Sequence, residues 1–160
     1  MKNSDTGFTL IELLMTLIIV SIVVTLGAPS LADIIRSNRL TTEANNLVTA
    51  LNVARSESIR RNANITLCAS SDQATCTNDG WENGWIIMDD SNQILRVFDS
   101  MEGMSSVTAT VQSLQYTATG FINGGATVTF DLCAKPGTPG RQINITPTGR
   151  PSNVTPYPSC

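Results

Sequence analysis

Histidine is absent from all 160 residues. That removes Ser-His-Asp and Cys-His catalysis, and the commonest zinc ligand with them. Aromatic residues make up only 5% of the chain and charged residues only 14%. A net charge of −3 leaves no basic excess, which argues against a generic nucleic-acid binder or a basic membrane-surface protein. There are four cysteines but no CxxC knuckle, so a four-thiolate zinc site is disfavoured. Nothing pairs a nucleophile with a suitable base, so the chain reads as a non-enzyme with no cofactor and no metal.

What the chain does have is one long apolar run. From Phe8 to Ala28 the sole ionisable side chain is Glu12, and about 21 residues suffice to span a bilayer as a helix. A carboxylate costs roughly 2.5–3.5 kcal/mol near the middle of such a helix and less near an end, so Glu12 asks for a partner. Snorkelling to the interface is the plainer alternative. If the chain is cut after Gly7, the new amino group of Phe8 becomes a cation one helical turn from Glu12. In a helical filament, that amine on one subunit could neutralise the carboxylate of the next. Ser30-Leu31-Ala32 also offers a small-x-small secretory cleavage site, but the apolar stretch exceeds the usual 7–15 residue signal core and Pro29 crowds the site. No lipobox cysteine follows the run, which disfavours a lipoprotein.

The segment Thr6-Gly7-Phe8-Thr9-Leu10-Ile11-Glu12-Leu13-Leu14 resembles the prepilin signature of type IV pilins and type II secretion pseudopilins. A short leader with Lys2 precedes it. The resemblance implies a prepilin peptidase that cleaves after Gly7 and methylates Phe8. It also implies removal of residues 1–7 and one helix from Phe8 to about Arg61.

Beyond the apolar run, Pro29 is expected to kink the helix, because proline lacks a backbone donor and clashes with the preceding turn. Leu40, Ala44, Leu47, Val48, Leu51 and Ala54 then recur at intervals of three and four, a stripe suited to packing under a sheet. Arg39 and Glu43, four apart, suit a solvated pair on another face. From Asn64 onward short β-type runs take over: Ile65–Cys68, Gly84–Met88, Ile94–Phe98, Val107–Tyr116, Ala126–Cys133 and Arg141–Thr146. Asp89 to Asn92 reads as a polar turn and Gly124-Gly125 as a hairpin turn, with proline and glycine dominating the tail. A helix first and strands afterwards define an α+β fold with an antiparallel sheet. The boundaries are a leader at 1–7, a membrane or filament-core helix at 8–28, its amphipathic continuation at 29–61 and a β-rich region at 62–160.

Cys68, Cys76, Cys133 and Cys160 all follow the apolar run, and an even count in an exported domain reads as disulfides. Three pairings are open. Cys68–Cys76, closing a short polar loop, and Cys133–Cys160, tying the last residue to a strand, are favoured. Each bridge is typically worth about 2–4 kcal/mol.

Ala54-Arg55-Ser56-Glu57-Ser58-Ile59-Arg60-Arg61, Thr66-Leu67-Cys68, Trp81-Glu82-Asn83-Gly84-Trp85-Ile86-Ile87, Ile94-Leu95-Arg96-Val97 and Thr148-Gly149-Arg150 narrow the family. They resemble the FimT/FimU-type minor pilins and the related GspH-type pseudopilins. This implies a helix capped by two small β-sheets, in a low-abundance subunit near a filament tip. The implied partners are other minor and major pilins, the prepilin peptidase and an inner-membrane assembly platform. The implied location is the inner membrane, single-pass with the globular region in the periplasm, before assembly into an extracellular pilus.

Three motifs have competing readings. Trp81 and Trp85 suit a cover between sheet and helix better than a ligand site. Asp89, Asp90 and Asn92 suit a hairpin turn better than calcium, since the EF-hand glycine and closing glutamate are missing. The segment Leu132–Cys160 carries Lys135, Arg141 and Arg150 and no acidic side chain. FimT-type pilins of competent bacteria bind DNA through a C-terminal Gly-Arg-x-Arg stretch. Here Gly149-Arg150-Pro151-Ser152 lacks the second arginine, so any DNA contact is weak and salt-sensitive, and a structural loop is the favoured reading. The sequence therefore reads as a minor pilin that helps initiate type IV pilus assembly. The alternatives are a GspH-type pseudopilin of a type II secretion system and a DNA-binding pilin of natural transformation.

Overall fold

The computed structural model describes residues 8–77, 79–157 and 160, without the side chains of 26–29 and 154–157. Helix α1 runs from Leu10 to Arg61, 52 residues. Among the described residues, eight strands follow: β1 (Ile65–Ala69), β2 (Trp85–Asp89), β3 (Ile94–Phe98), β4 (Ser106–Ala109), β5 (Ser113–Tyr116), β6 (Val128–Cys133), β7 (Gly140–Ile145) and β8 (Pro151–Tyr157). They form two antiparallel four-stranded sheets, ordered β3-β2-β1-β5 and β4-β6-β7-β8. The chain divides into two compact units, one ending at Arg36 and one from Ser37 to Cys160.

The second unit holds the core. Leu40, Ala44, Leu47, Leu51 and Ala54 are buried, as the three-and-four spacing requires, and Ala50 joins them. Three of these helix positions are alanine, which allows close approach of the sheets. Both sheets contribute alternate residues: Ile65 and Leu67 from β1, Leu114 and Tyr116 from β5, Phe130 and Leu132 from β6, Ile143 and Ile145 from β7. Period-two alternation places each set on one face. Strand β2 is buried on both faces, because Ile86 and Met88 form a second, smaller cluster with Cys68 on the side away from the helix.

Several sequence expectations change here. The run Val107–Tyr116 is not one strand. It splits into β4 and β5, which belong to different sheets. The crossing residues pass over Trp81, whose indole Nε1–H donates to the Val111 carbonyl (3.3 Å), and the Thr110 amide donates to the Thr129 carbonyl (3.1 Å). Gly124 and Gly125 do turn the chain, at φ 86° and 65°, but the strands on either side belong to different sheets and make no hairpin. The tail, where proline and glycine dominate, forms β8. As an outer strand paired only with β7, it can carry prolines that a central strand could not. Arg39 and Glu43 do not pair. Glu43 accepts from the Asn46 amide (3.3 Å), and Arg39 lies against Gly103. A basic residue preceding an acidic one by four is the weaker orientation on a helix.

Candidate functional site

The N-terminal end of α1 is built by its own polar residues. Thr9 precedes the first helical residue, and its Oγ1 accepts the Glu12 amide (3.3 Å) while its carbonyl accepts the Leu13 amide (3.2 Å). Thr9 therefore caps the helix, with Glu12 at the third helical position, the Thr-x-x-Glu spacing of a capping box. That signal stood in the sequence, masked by the stronger apolar pattern around it. Phe8 is 69% exposed, and every large apolar residue from Leu10 to Val24 is about half exposed or more. The hydroxyls of the run are satisfied internally: Thr16 donates to the Leu13 carbonyl (2.8 Å), Ser21 to Ile18 (2.7 Å) and Thr25 to Ser21 (2.9 Å). With hydroxyl and backbone groups bonded within the helix, the surface it offers is suited to hydrocarbon or to other apolar helices. An 18-residue window of this helix has a mean hydropathy of 2.5. Gly7 lies outside the described residues, and the helix is continuous through Pro29, whose side chain is likewise outside them.

The C-terminal cations do not make one patch. Arg141 lies on the core side of β7 and donates from Nη2 to the Thr41 hydroxyl of α1 (2.8 Å). It is a strut between sheet and helix. Lys135 is exposed in the β6–β7 loop and Arg150 is exposed in the β7–β8 turn, at the opposite end of β7. Gly149 is buried at φ 78°, and a Cβ there would fall on the Gly120 carbonyl oxygen and 3.2 Å from Arg55 Nε. The Arg55 Nε–H donates to that same carbonyl (3.0 Å). Glycine is thus required by both backbone angle and space, and Arg150 is held beside the C-terminal end of α1.

Both tryptophans are core. Trp81 meets Phe130 edge-on at 4.8 Å, and Trp85 stacks on Phe98 at 5.4 Å. Asp89 spends its Oδ1 on the amides of Ser91 (2.9 Å) and Gln93 (3.0 Å), closing the β2–β3 turn. The sulfurs join Cys68 to Cys76 and Cys133 to Cys160. In the first loop, the Asp72 carboxylate accepts the amides of Thr75 (2.8 Å) and Ala74 (2.9 Å), then the hydroxyls of Thr75 and Ser70. These donors, the Thr75 amide foremost, hold its pKa well below the usual carboxylate range. Glu57 is likewise lowered, by Arg61 first and then Arg60.

An apolar helix whose second half carries two small antiparallel sheets is the architecture of a type IV pilin. Residues 43–149 match the family described as Type II transport protein GspH, and residues 2–28 match the prokaryotic N-terminal methylation motif. The chain belongs to the GspH family. The crystal structure of the Pseudomonas aeruginosa (strain PAO1) type IV minor pilin FimU is similar in two crystal forms. One aligns at 26% identity with a TM-score of 0.65 over 78% of this chain and 96% of that one. The other aligns at 25% identity with a TM-score of 0.62 over 75% and 98%. Comparison with curated proteins gives no match. The family is one of structural pilins rather than enzymes. Its members associate with other pilins and the pilus machinery, and the methylation motif points to prepilin peptidase processing and a membrane anchor.

Proposed function

We propose that this chain is an initiating subunit of type IV pilus assembly, placed near the filament tip. The observation that carries the reading is the N-terminal helix: a continuous exposed apolar surface from Phe8 to Val24 interrupted by one carboxylate, Glu12, a turn from Phe8. Cleavage after Gly7 and methylation of Phe8 leave an amine that pairs with Glu12 of a neighbouring subunit in the filament core. A buried carboxylate left unpaired is costly, so the pair also sets the register in which a subunit enters. Before extraction, the helix anchors the chain in the inner membrane with the globular unit in the periplasm, beside the assembly platform. Major and minor pilins are its partners. Pro29 is the residue expected to kink the helix where it leaves the membrane.

Two observations bear on the alternatives. The family description names type II transport, which favours a pseudopilin of a secretion system as the second reading. DNA capture draws less support, because Arg141 is engaged with Thr41 and Lys135 and Arg150 occupy opposite ends of β7.

The test is a count of surface pili in a deletion strain complemented with wild type or with Glu12→Ala. Loss of pili restored by wild type and poorly by Glu12→Ala is the expected result. Normal pilus numbers in the deletion strain would reject the assembly role and turn attention to secretion.

A further inference from the structure

The unit Ser37–Cys160 has two unlike exposed surfaces. The first is a convex end where α1 finishes. Ile59 and Phe121 are each 50% exposed there. They are held side by side, since Gly120, which precedes Phe121, packs so tightly on Ile59 that a Cβ would lie 2.7 Å from its Cδ1. The Ile122 amide donates to the Pro147 carbonyl (3.0 Å), which brings the β7–β8 turn and exposed Arg150 to the same end. Arg60 and Arg61 complete it, sharing the single carboxylate of Glu57. This end thus combines exposed Ile59 and Phe121 with Arg60, Arg61 and Arg150 against one carboxylate, Glu57, in a chain of net charge −3.

The second surface is a groove of about 300 Å³ between α1 and β3, lined by Glu43, Trp85, Val97, Phe98 and Asp99. Its floor is aromatic, the stacked Trp85–Phe98 pair, and Val97 is 43% exposed at its rim. Its two carboxylates are held by neutral amides: Glu43 accepts from Asn46 (3.3 Å) and Asp99 from Gln73 (2.8 Å). Among the described residues neither is in an ion pair, so both are open to an incoming cation. Glu43 and Ile59 stand on the same helix, about 24 Å apart at 1.5 Å per residue.

We propose that the groove at Glu43 and Asp99 of one copy receives the Ile59/Phe121 end of a second copy, with arginine meeting carboxylate around an apolar contact. The two surfaces are different, so the contact is head-to-tail and does not close a two-fold dimer. Such a contact suits a filament subunit, and the inference rests on that reading. Arg60 and Arg61 are already engaged by Glu57, which weakens their pull on a nucleic-acid backbone, and the exposed isoleucine gains only from apolar cover, so a protein partner fits this end better. Most of the affinity comes from seating Phe121 and Ile59. The rim charges set orientation and make the contact salt-sensitive.

The full-length chain in detergent is followed by sedimentation velocity at about 50 and about 500 mM NaCl, either side of strong screening. Wild type is expected to self-associate more at low salt. A groove variant, Glu43→Lys with Asp99→Lys, and a tip variant, Phe121→Ser with Arg150→Glu, should each weaken association about tenfold. Mixing the two variants is the decisive step. Each retains the surface the other lacks, so an equimolar mixture should recover a one-to-one complex, which association through the apolar helix alone cannot produce. Either variant associating like wild type, or a mixture that recovers nothing, overturns the proposal. Binding of duplex DNA lost with Arg150→Glu, with no recovered pair, would assign the tip to nucleic acid and overturn it as well. If a double variant melts early, the surface changes Val97→Asp and Phe121→Asp take their places in the same mixing design. Pilus counts are scored separately. If the deletion strain loses pili but the mixture fails, the assembly reading stands and only this contact is wrong.

Discussion

At the scale of single residues, burial and hydrogen bonding decide roles that residue type leaves open. Tyr116 is fully buried, and its hydroxyl has no hydrogen-bond partner among the described residues. Burial pushes its pKa up from the ordinary value of 10.0, with nearby Arg55 opposing the shift. Below about pH 10 the hydroxyl is protonated in folded and unfolded chains alike, and it contributes no pH dependence. Above that pH the unfolded chain releases the proton while the folded one retains it, so stability falls as pH rises. Tyr116→Phe should remove that alkaline slope and shift the melting temperature at pH 7 by no more than about 2–3 °C. Thermal melts between pH 7 and 11 check both parts, and a drop of 5 °C or more at pH 7 would show that the hydroxyl has a partner after all. The same scale shows the reach of sequence reading. Trp81 and Trp85 were legible as core because large apolar surfaces beside strands are seldom left exposed. The engagement of Arg141 with Thr41 was not, because the two lie 100 residues apart.

At the scale of elements, strand β8 shows how a local rule is overridden. Its prolines argue against a strand, yet an outer strand bonded on one side tolerates them. The chain end is clipped twice to the β6–β7 loop by backbone bonds: the Gly137 amide donates to the Cys160 carbonyl (3.2 Å) and the Cys160 amide to the Thr138 carbonyl (3.1 Å). The Cys133–Cys160 bridge, spanning 27 residues, closes the loop that contains β7 and β8. Replacing both cysteines by serine should cost about 3–4 kcal/mol. Hydrogen exchange should then show β8 amides losing protection ahead of β6 and β1. Uniform loss across both sheets would mean that β8 unfolds only with the whole unit. The helix stripe, the β2–β3 turn and most strand positions were readable from periodicity, since each depends on neighbours within a few residues. The division of Val107–Tyr116 between two sheets was not, because alternation marks which residues face inward without saying which sheet they join.

At the scale of the whole molecule, every residue of the main core lies at Leu40 or beyond, although α1 begins thirty residues earlier. A chain lacking residues 1–36 should therefore fold with both disulfides and melt cooperatively within about 3 °C of the full-length protein, as followed by circular dichroism. A broad, early transition would show that the apolar half of the helix contributes to folding as well as to anchoring. The amino-acid sequence by itself determined the helix, its membrane-length apolar surface, the position of Glu12 and the α+β class. Each of these is set by local periodicity or by the cost of placing a charge among apolar residues. Tertiary structure alone decided how the strands divide into two sheets, that β8 forms at all, and that Lys135, Arg141 and Arg150 are kept apart. It also brought Ile59, Phe121 and Arg150 to one end and Glu43 and Asp99 to another. Those groupings join residues far apart in the chain, and only the packing of both sheets around one helix sets their distances.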